Sequence, residues 1–345
     1  MLHAPARATG APRESMRPRS SASQRYTLID LAPEEESFAD AVAAGFARRP
    51  RSIPCRFLYD ERGSKLFEEI CDLPEYYLTR AEREILLGRA DRIAARFDRP
   101  IVLAELGSGS AAKTRLVIEA CLARHGGLRY VPVDISRSML EASSIELLER
   151  YESLEIRAIA SELRTGLHHV GRETSRPKLI LWLGSSVGNL SRDEAAAFLG
   201  RVRRAMTAED ALLIGIDRRK SRAVLERAYD DAAGVTARFT LNLLERMNRE
   251  LGARFDPNAF RHRAVYHEDE GRVEIAILSL RRQRVAIEAL ELELDLARGE
   301  GIHAEDSFKY SLAEIDALAS AAGMQVEERW QDRGRRFSLN LFSPV

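Results

Sequence analysis

Polar and glycine residues at a few spacings in this 345-residue chain could do chemistry. The first set is Glu105-Leu106-Gly107-Ser108-Gly109-Ser110-Ala111-Ala112-Lys113-Thr114. The apolar run from Ile101 to Leu106 reads as a buried strand. Two glycines one residue apart turn the chain, and Leu116, Val117, Ala120 and Cys121 follow at helical spacing. A strand, a glycine turn and a helix N-terminus make a crevice for a nucleotide: missing Cβ atoms let a ligand reach the backbone, and free N–H groups point at it. Polar residues also stand at the ends of the next strands. Asp134 follows the strand Leu128 to Val133, where it can accept from ribose hydroxyls. Glu162 follows Leu154 to Ala160, within reach of an adenine amino group. Asn189 lies in Gly184-Ser185-Ser186-Val187-Gly188-Asn189-Leu190, after the uncharged strand Leu179 to Leu183. A turn or a helix cap would also suit Asn189, but Ser191 and Glu194 already supply a capping box for the next helix.

The glycine pattern alone leaves the nucleotide open. Gly107-x-Gly109-x-x-Ala112 fits a loose dinucleotide fingerprint, and with it a hydride-transferring oxidoreductase. Glu105, two residues before the first glycine, can instead face the amino acid part of S-adenosylmethionine (SAM). The position of the turn, about a hundred residues into the chain, also favours SAM.

The elements that must position these groups follow from periodicity. Phe38, Val42, Ala43 and Phe46 are at helical spacing, Arg56 to Ser64 reads as a short strand and turn, and a helix passes through Leu66, Phe67 and Ile70. Tyr76 and Tyr77 sit beside Pro74 on a loop, packed or facing a ligand. After a fifth strand, Ala211 to Asp217, the alternation stops. Helices over Arg222 to Tyr229 and Val235 to Leu251 precede three strands, Arg261 to Tyr266, Arg272 to Leu280 and Val285 to Leu294, arranged as an antiparallel meander. Ser311 to Ala322 is a helix, and Gln325 to Trp330 with Phe337 to Phe342 close as a hairpin.

Lys plus Arg and Asp plus Glu number 53 each, so no net charge recommends a nucleic acid or a membrane surface as partner. Cys55, Cys71 and Cys121 lack metal-ligand spacing and read as reduced thiols of a cytoplasmic protein. No metal site is expected. No apolar run approaches a membrane span. Residues 1–26, rich in Ala, Pro, Ser and Arg, read as a disordered tail. The seven histidines, among them His168, His169 and His303, are scattered and read as surface or loop residues.

The glycine turn, the acids at successive strand ends and the closing hairpin resemble class I SAM-dependent methyltransferases. More narrowly, residues 27–345 resemble the histidine Nα-methyltransferases of ergothioneine biosynthesis. The likeness rests on Tyr59 to Ser64, Leu73 to Tyr77, Gly184 to Leu190, Ala228 to Thr236 and Glu305-Asp306-Ser307-Phe308-Lys309. It implies an α/β fold: a Rossmann-like sheet with a closing antiparallel hairpin, plus an inserted α+β substrate-binding domain. Residues 82–219 and 309–345 would form the methyltransferase domain, and 27–81 with 220–308 the substrate-binding domain. SAM would be held by Glu105, Gly107, Gly109, Lys113, Asp134, Glu162 and Leu163. Asn189, Tyr76 and Tyr229 would hold the amino and carboxylate groups of the acceptor and act as the catalytic set. Tyr59 and the Gly184 backbone would lie close by, and Glu305 and Ser307 would hold the imidazole. Three positions depart from the family pattern: Glu162 stands where Asp is usual, Leu163 where Phe is frequent, and Ile275 where a methionine lines the pocket.

The implied reaction is successive methylation of the α-amine of L-histidine, up to three times, giving hercynine. The protein supplies position and charge to an already reactive donor. A carboxylate and a hydroxyl two residues apart on one extended segment point the same way, and they match the donor and acceptor of an imidazole. Tyrosine faces suit the growing ammonium cation. Relatives acting on other aromatic amino acids typically lose the acid found here at Glu305. The alternatives are another aromatic amino acid or an imidazole compound as acceptor and, less favoured, the oxidoreductase. A small-molecule substrate and a monomer are expected.

Overall fold

The computed structural model describes residues 25–31, 36–173 and 176–345. Most of the expected disordered tail, residues 1–24, lies outside them. The chain enters through strand β1 (Tyr26–Asp30), helix α1 (Phe38–Ala47) and the short strand β2 (Arg51–Ser52). Helices α2 (Glu61–Asp72) and α3 (Tyr77–Ala95) lead to β3 (Val102–Leu106). Strands and helices then alternate through α4 (Arg115–His125), β4 (Leu128–Asp134), α5 (Arg137–Arg150), β5 (Leu154–Ala160), α6 (Leu163–Gly171), β6 (Lys178–Trp182), α7 (Arg192–Arg204) and β7 (Ala211–Asp217). Next come α8 (Arg222–Tyr229), α9 (Val235–Leu251), β8 (Phe260–His267), β9 (Arg272–Ser279), β10 (Gln283–Ile287), β11 (Leu292–Leu296) and β12 (Gly301–Phe308). Helix α10 (Leu312–Ala321) and the hairpin β13 (Met324–Gln331) and β14 (Phe337–Pro344) finish the chain.

An eight-stranded sheet runs in the order β1-β5-β4-β3-β6-β7-β14-β13. Its first six strands are parallel, and β14 and β13 are antiparallel to their neighbours. Strands β3, β6 and β7 are buried along their whole length because helices cover both faces. Strand order reverses between β3 and β6. That places a ligand crevice at their carboxyl ends, where the Gly107 and Gly184 turns begin. The expected capping box at Ser191 and Glu194 forms at the start of α7.

A second sheet, β2-β12-β9-β8, draws three of its strands from the inserted segment, which also forms the hairpin β10-β11. Parallel pairing of β2 with β12, Arg51 beside Ile302, joins residues before the parallel run β3–β7 to residues after it.

Several local expectations change. β1 joins the edge of the large sheet beside β5, held by Arg25, whose guanidinium donates to the carbonyls of Tyr151 at 2.8 Å, Leu154 at 2.9 Å and Leu148 at 3.0 Å. It therefore does not open the substrate-binding unit expected from residue 27. The expected boundary at residue 82 falls inside α3. Arg56 to Ser64 is a 3₁₀ turn over Cys55–Leu58 running into α2, not a strand, because Asp60 Oδ1 accepts from Gly63 N at 2.8 Å and caps the helix. Tyr77 opens α3 rather than lying on a loop. The run Val285 to Leu294 is two strands, with Glu291 at φ 49° between them and no glycine or proline marking the turn. Strand β12, not expected as an element, carries Glu305 and Ser307. Among the described residues no helix is long and apolar enough to cross a membrane.

Candidate active site

The glycine turn after β3 is built as a cradle. Gly107 and Gly109 have φ of 75° and 50°, and a Cβ added to either would project into space with no atom within 4 Å. The turn is tied to the next strand: Gly107 N donates to Val133 O at 2.8 Å, and Gly109 N to Asp134 Oδ2 at 2.9 Å. Ser136 N occupies the other Asp134 oxygen at 2.9 Å. Burial raises the Asp134 pKa, against these backbone donors. Ser108 Oγ is buried in the turn without a hydrogen-bond partner. Open glycines, an acid at the next strand tip and an unsatisfied hydroxyl together fit a nucleoside-bearing ligand. Glu162 stands at the N-cap position of α6 without a side-chain capping bond, with Arg56 Nε 3.8 Å away, and Leu163 packs on the apolar layer behind it.

Glu105 and Lys113 brace this loop. Glu105 is 3% exposed, with Oε1 accepting from Thr114 Oγ1 at 2.6 Å and Oε2 from the Tyr130 hydroxyl. Burial lifts its pKa to about 7, although both hydrogen bonds and Lys113 favour the charge. Lys113 pairs with buried Glu82 of α3, and Glu82 accepts from Gly184 N at 2.9 and 3.0 Å. One carboxylate thus links the glycine turn of β3 to the turn after β6. Gly184 at φ 76° and Ser185 at φ 63° make that second turn sharp, and Ser185 Oγ accepts from Asp217 N at 2.8 Å. The 3₁₀ turn Ser186–Asn189 follows and presents Asn189.

Tyr59, Tyr76, Gly184, Asn189, Tyr229, Ile275, Glu305 and Ser307 all line one cavity. The residues come from both sheets. Tyr76 precedes α3, Tyr229 ends α8, and Ile275 and Glu305 face each other across β9 and β12. The Tyr76 and Tyr229 rings meet edge to face at 6.0 Å, and Tyr59 packs on Phe67 at 5.4 Å and on Phe239 at 5.3 Å. Such an aromatic wall attracts a cation and excludes water. Tyr229 OH and Ser307 Oγ are 2.9 Å apart, and the Lys309 ammonium donates to both, at 2.6 and 2.8 Å. Burial, chiefly, pushes the Glu305 carboxyl up to about 7, with Lys309 and His303 pulling the other way.

Register explains how Glu305 and Ser307 face inward together. His303 pairs with Ala276 and Glu305 with Ile275, so Ala304 is an extra residue, a β-bulge. Before it Ile302 and Ala304 are buried; after it Glu305 and Ser307 are, while Asp306 turns out to Arg272 Nη1 at 2.6 Å. Sequence reasoning missed Phe67, Phe239, Ser185 and Thr240, which also line the cavity. The two phenylalanines read as packing residues on helical spacing. His262 stands behind Tyr229, its Nε2 2.7 Å from the Tyr229 carbonyl, outside the lining.

The family model "Histidine-specific methyltransferase, SAM-dependent" matches residues 38–344. Two similar chains named "Histidine N-alpha-methyltransferase" come from Mycobacterium tuberculosis and Mycolicibacterium smegmatis. The first is 40% identical over 300 residues, 87% of this chain and 92% of that one. The second is 38% identical over 319 residues, 92% of this chain and 97% of that one. "Ergothioneine biosynthesis protein 1" of Neurospora crassa is 32% identical over 304 residues, 85% of this chain and 33% of that longer one.

Proposed function

The chain belongs to the SAM-dependent histidine-specific methyltransferases, and we propose that it methylates the α-amine of L-histidine, up to three times, as a step of ergothioneine biosynthesis. The oxidoreductase reading of the glycine turn falls with that membership. When bound, SAM supplies an electrophilic methyl group, and Glu105, Gly107, Gly109, Lys113, Asp134, Glu162 and Leu163 are the residues offered to hold it, Glu105 and Lys113 also bracing the turn. Everything else is positioning by the chain.

The observation that carries the reading is the single cavity in which Asn189, Tyr76 and Tyr229 meet Glu305, Ser307 and Ile275. Asn189 offers both a donor and an acceptor beside the β6 turn, and the two tyrosine hydroxyls add donors or acceptors. These groups orient the amine and the carboxylate. Glu305, with a pKa of about 7, is matched to an imidazole, whose ordinary value is about 6.5. The pair shares one proton, so the side chain is held whether it arrives neutral or charged. Ile275 stands across from Glu305 and closes the apolar side of the ring. The attacking amine is neutral, and its departing proton goes to water. Tyr59, Tyr76, Phe67 and Phe239 surround a site able to accept a growing cation.

Free Cys55, Cys71 and Cys121 suit a reducing cytoplasm. The test is transfer from labelled SAM to each of the twenty amino acids by the purified protein. Histidine should be the preferred acceptor, with mono-, di- and trimethylated products in sequence; no transfer to histidine would refute the reading.

A further inference from the structure

A buried charge cluster stands behind Tyr229. Lys309, wholly buried, has its Nζ 2.6 Å from Tyr229 OH, 2.8 Å from Ser307 Oγ and 3.1 Å from Asp217 Oδ2. These acceptors use all three of its hydrogens. Asp217, at the end of β7 and also wholly buried, accepts from Lys220 Nζ at 2.6 Å and from Tyr77 OH at 2.7 Å. Lys220 reaches Tyr77 OH as well, at 2.6 Å. The other charged groups around the cluster are Glu305, on which Lys309 acts, Asp332 of the closing hairpin, which acts on Lys220, and Arg336, 5.7 Å from the Tyr77 ring. Two ammonium groups against the Asp217 carboxylate leave the core of the cluster with one excess positive charge while Glu305 beside Lys309 is protonated.

A positive charge beside a bound amino acid favours the ionised carboxylate and disfavours the ammonium. Free α-amino groups have pKa values of about 8, so near neutral pH most of the acceptor arrives protonated and cannot attack. We propose that the Lys309–Asp217–Lys220 cluster is a positioning device that, through Tyr229 and Ser307, selects the acceptor amino acid in its anionic form, with carboxylate ionised and α-amine free. The proposal rests on the reading of this cavity as the amino acid site. Lys309 holds its proton because Tyr229 and Asp217 outweigh burial. Burial would raise Asp217, but the two lysines hold it below the ordinary carboxylate value. Lys220 is the adjustable member: burial, with Lys309 repelling and Asp217 attracting, brings it to about 8.

The test is the pH dependence of kcat and KM for histidine in the full chain and in two variants at the cluster's edge, Lys220→Gln and Lys220→Arg. Removing one charge roughly two hydrogen-bonded groups from the bound amine moves the acid limb of kcat, which reports ionisation in the complex, by about one pH unit. The Gln variant should show that shift to higher pH and a raised KM near pH 7. The wild-type and Gln curves should converge above about pH 8, where wild-type Lys220 sheds its charge. The Arg variant, whose charge is permanent, should keep the wild-type acid limb. Glu305, which also titrates near 7, is present in wild type and both variants, so the comparison among the three isolates the charge at Lys220. Equal acid limbs in wild type and the Gln variant, or equal shifts in both variants, would overturn the proposal. If the wild type does not methylate histidine at all, the reading beneath it fails first.

Discussion

Glu305 is the residue on which acceptor choice turns. It is 9% exposed, faces Ile275 across the sheet, and is pushed to a pKa of about 7 mainly by burial. A hydrogen bond involving a charged group contributes about 1.5–3 kcal/mol. Glu305→Ala should therefore raise KM for histidine roughly ten- to hundredfold, with a smaller change in kcat, read from initial rates. The same carboxyl sets a pH dependence of stability. Its folded pKa lies above the unfolded value, so its stabilising contribution is complete below about pH 4.5 and is lost as pH rises through 7. Glu305→Gln removes that penalty. Melting temperatures of the two proteins should be closest near pH 5, and the variant should gain on wild type up to pH 8, by as much as roughly 3 kcal/mol. A constant difference across that range would mean that Glu305 is not held near neutrality. Tyr59, Tyr76, Phe67 and Phe239 act together as a wall, so losing one ring should cost less than losing Glu305.

Two local devices aim these side chains. One is the bulge at Ala304, which changes the phase of β12 so that Ile302 and Ala304, then Glu305 and Ser307, all face inward. An unbroken strand would send Glu305 and Ser307 outward with His303. The other is the Ser186–Asn189 turn, which packs directly on β12. A Cβ on Gly188 would come within 2.8 Å of Phe308 O and 3.5 Å of Ser307 Oγ. Gly188→Ala should push the Asn189 turn away from the strand bearing Ser307. The expected result is a loss of about 1–3 kcal/mol of stability and at least a tenfold drop in kcat/KM for histidine, seen by thermal melting and steady-state kinetics. Wild-type kinetics in that variant would show that the contact between turn and strand does not set the site. Asp60, capping α2, and Asp231, whose two oxygens accept from Val235 N at 2.9 Å and Thr236 N at 2.8 Å, fix helices that bear Phe67 and Phe239.

At the scale of the molecule, the donor cradle and the acceptor cavity are built on different sheets and joined at the carboxyl ends of β6 and β7. Glu82 is one link, holding Gly184 N and Lys113 at once. Lys309 is another, leaving β12 and pairing with Asp217 of β7. Ligand linkage should therefore separate the two sites. S-adenosylhomocysteine at a hundredfold its Kd should stabilise the folded chain by about 2.7 kcal/mol. Glu305→Ala should keep that gain and lose the further rise in melting temperature that histidine gives the wild type. Loss of both would show that Glu305 supports the whole crevice rather than the acceptor side alone.

The sequence by itself determined the large sheet, all but its β1 edge strand. Strands Leu154–Ala160 and Ala211–Asp217 and helices Arg222–Tyr229 and Val235–Leu251 follow directly from apolar periodicity, because each buries one face or both against its own neighbours. Motif resemblance was sufficient to nominate the eight cavity residues, which lie as far apart as Tyr59 and Ser307. Tertiary structure alone decided the rest. The β10–β11 turn has no glycine or proline to announce it, and the Ala304 bulge exists only relative to β9. Asp217 and Lys309, either side of the inserted segment, become one charge cluster only when two sheets close on them. Periodicity reports what a segment does with its own neighbours; register, phase and buried charge are properties of pairs that only folding brings together.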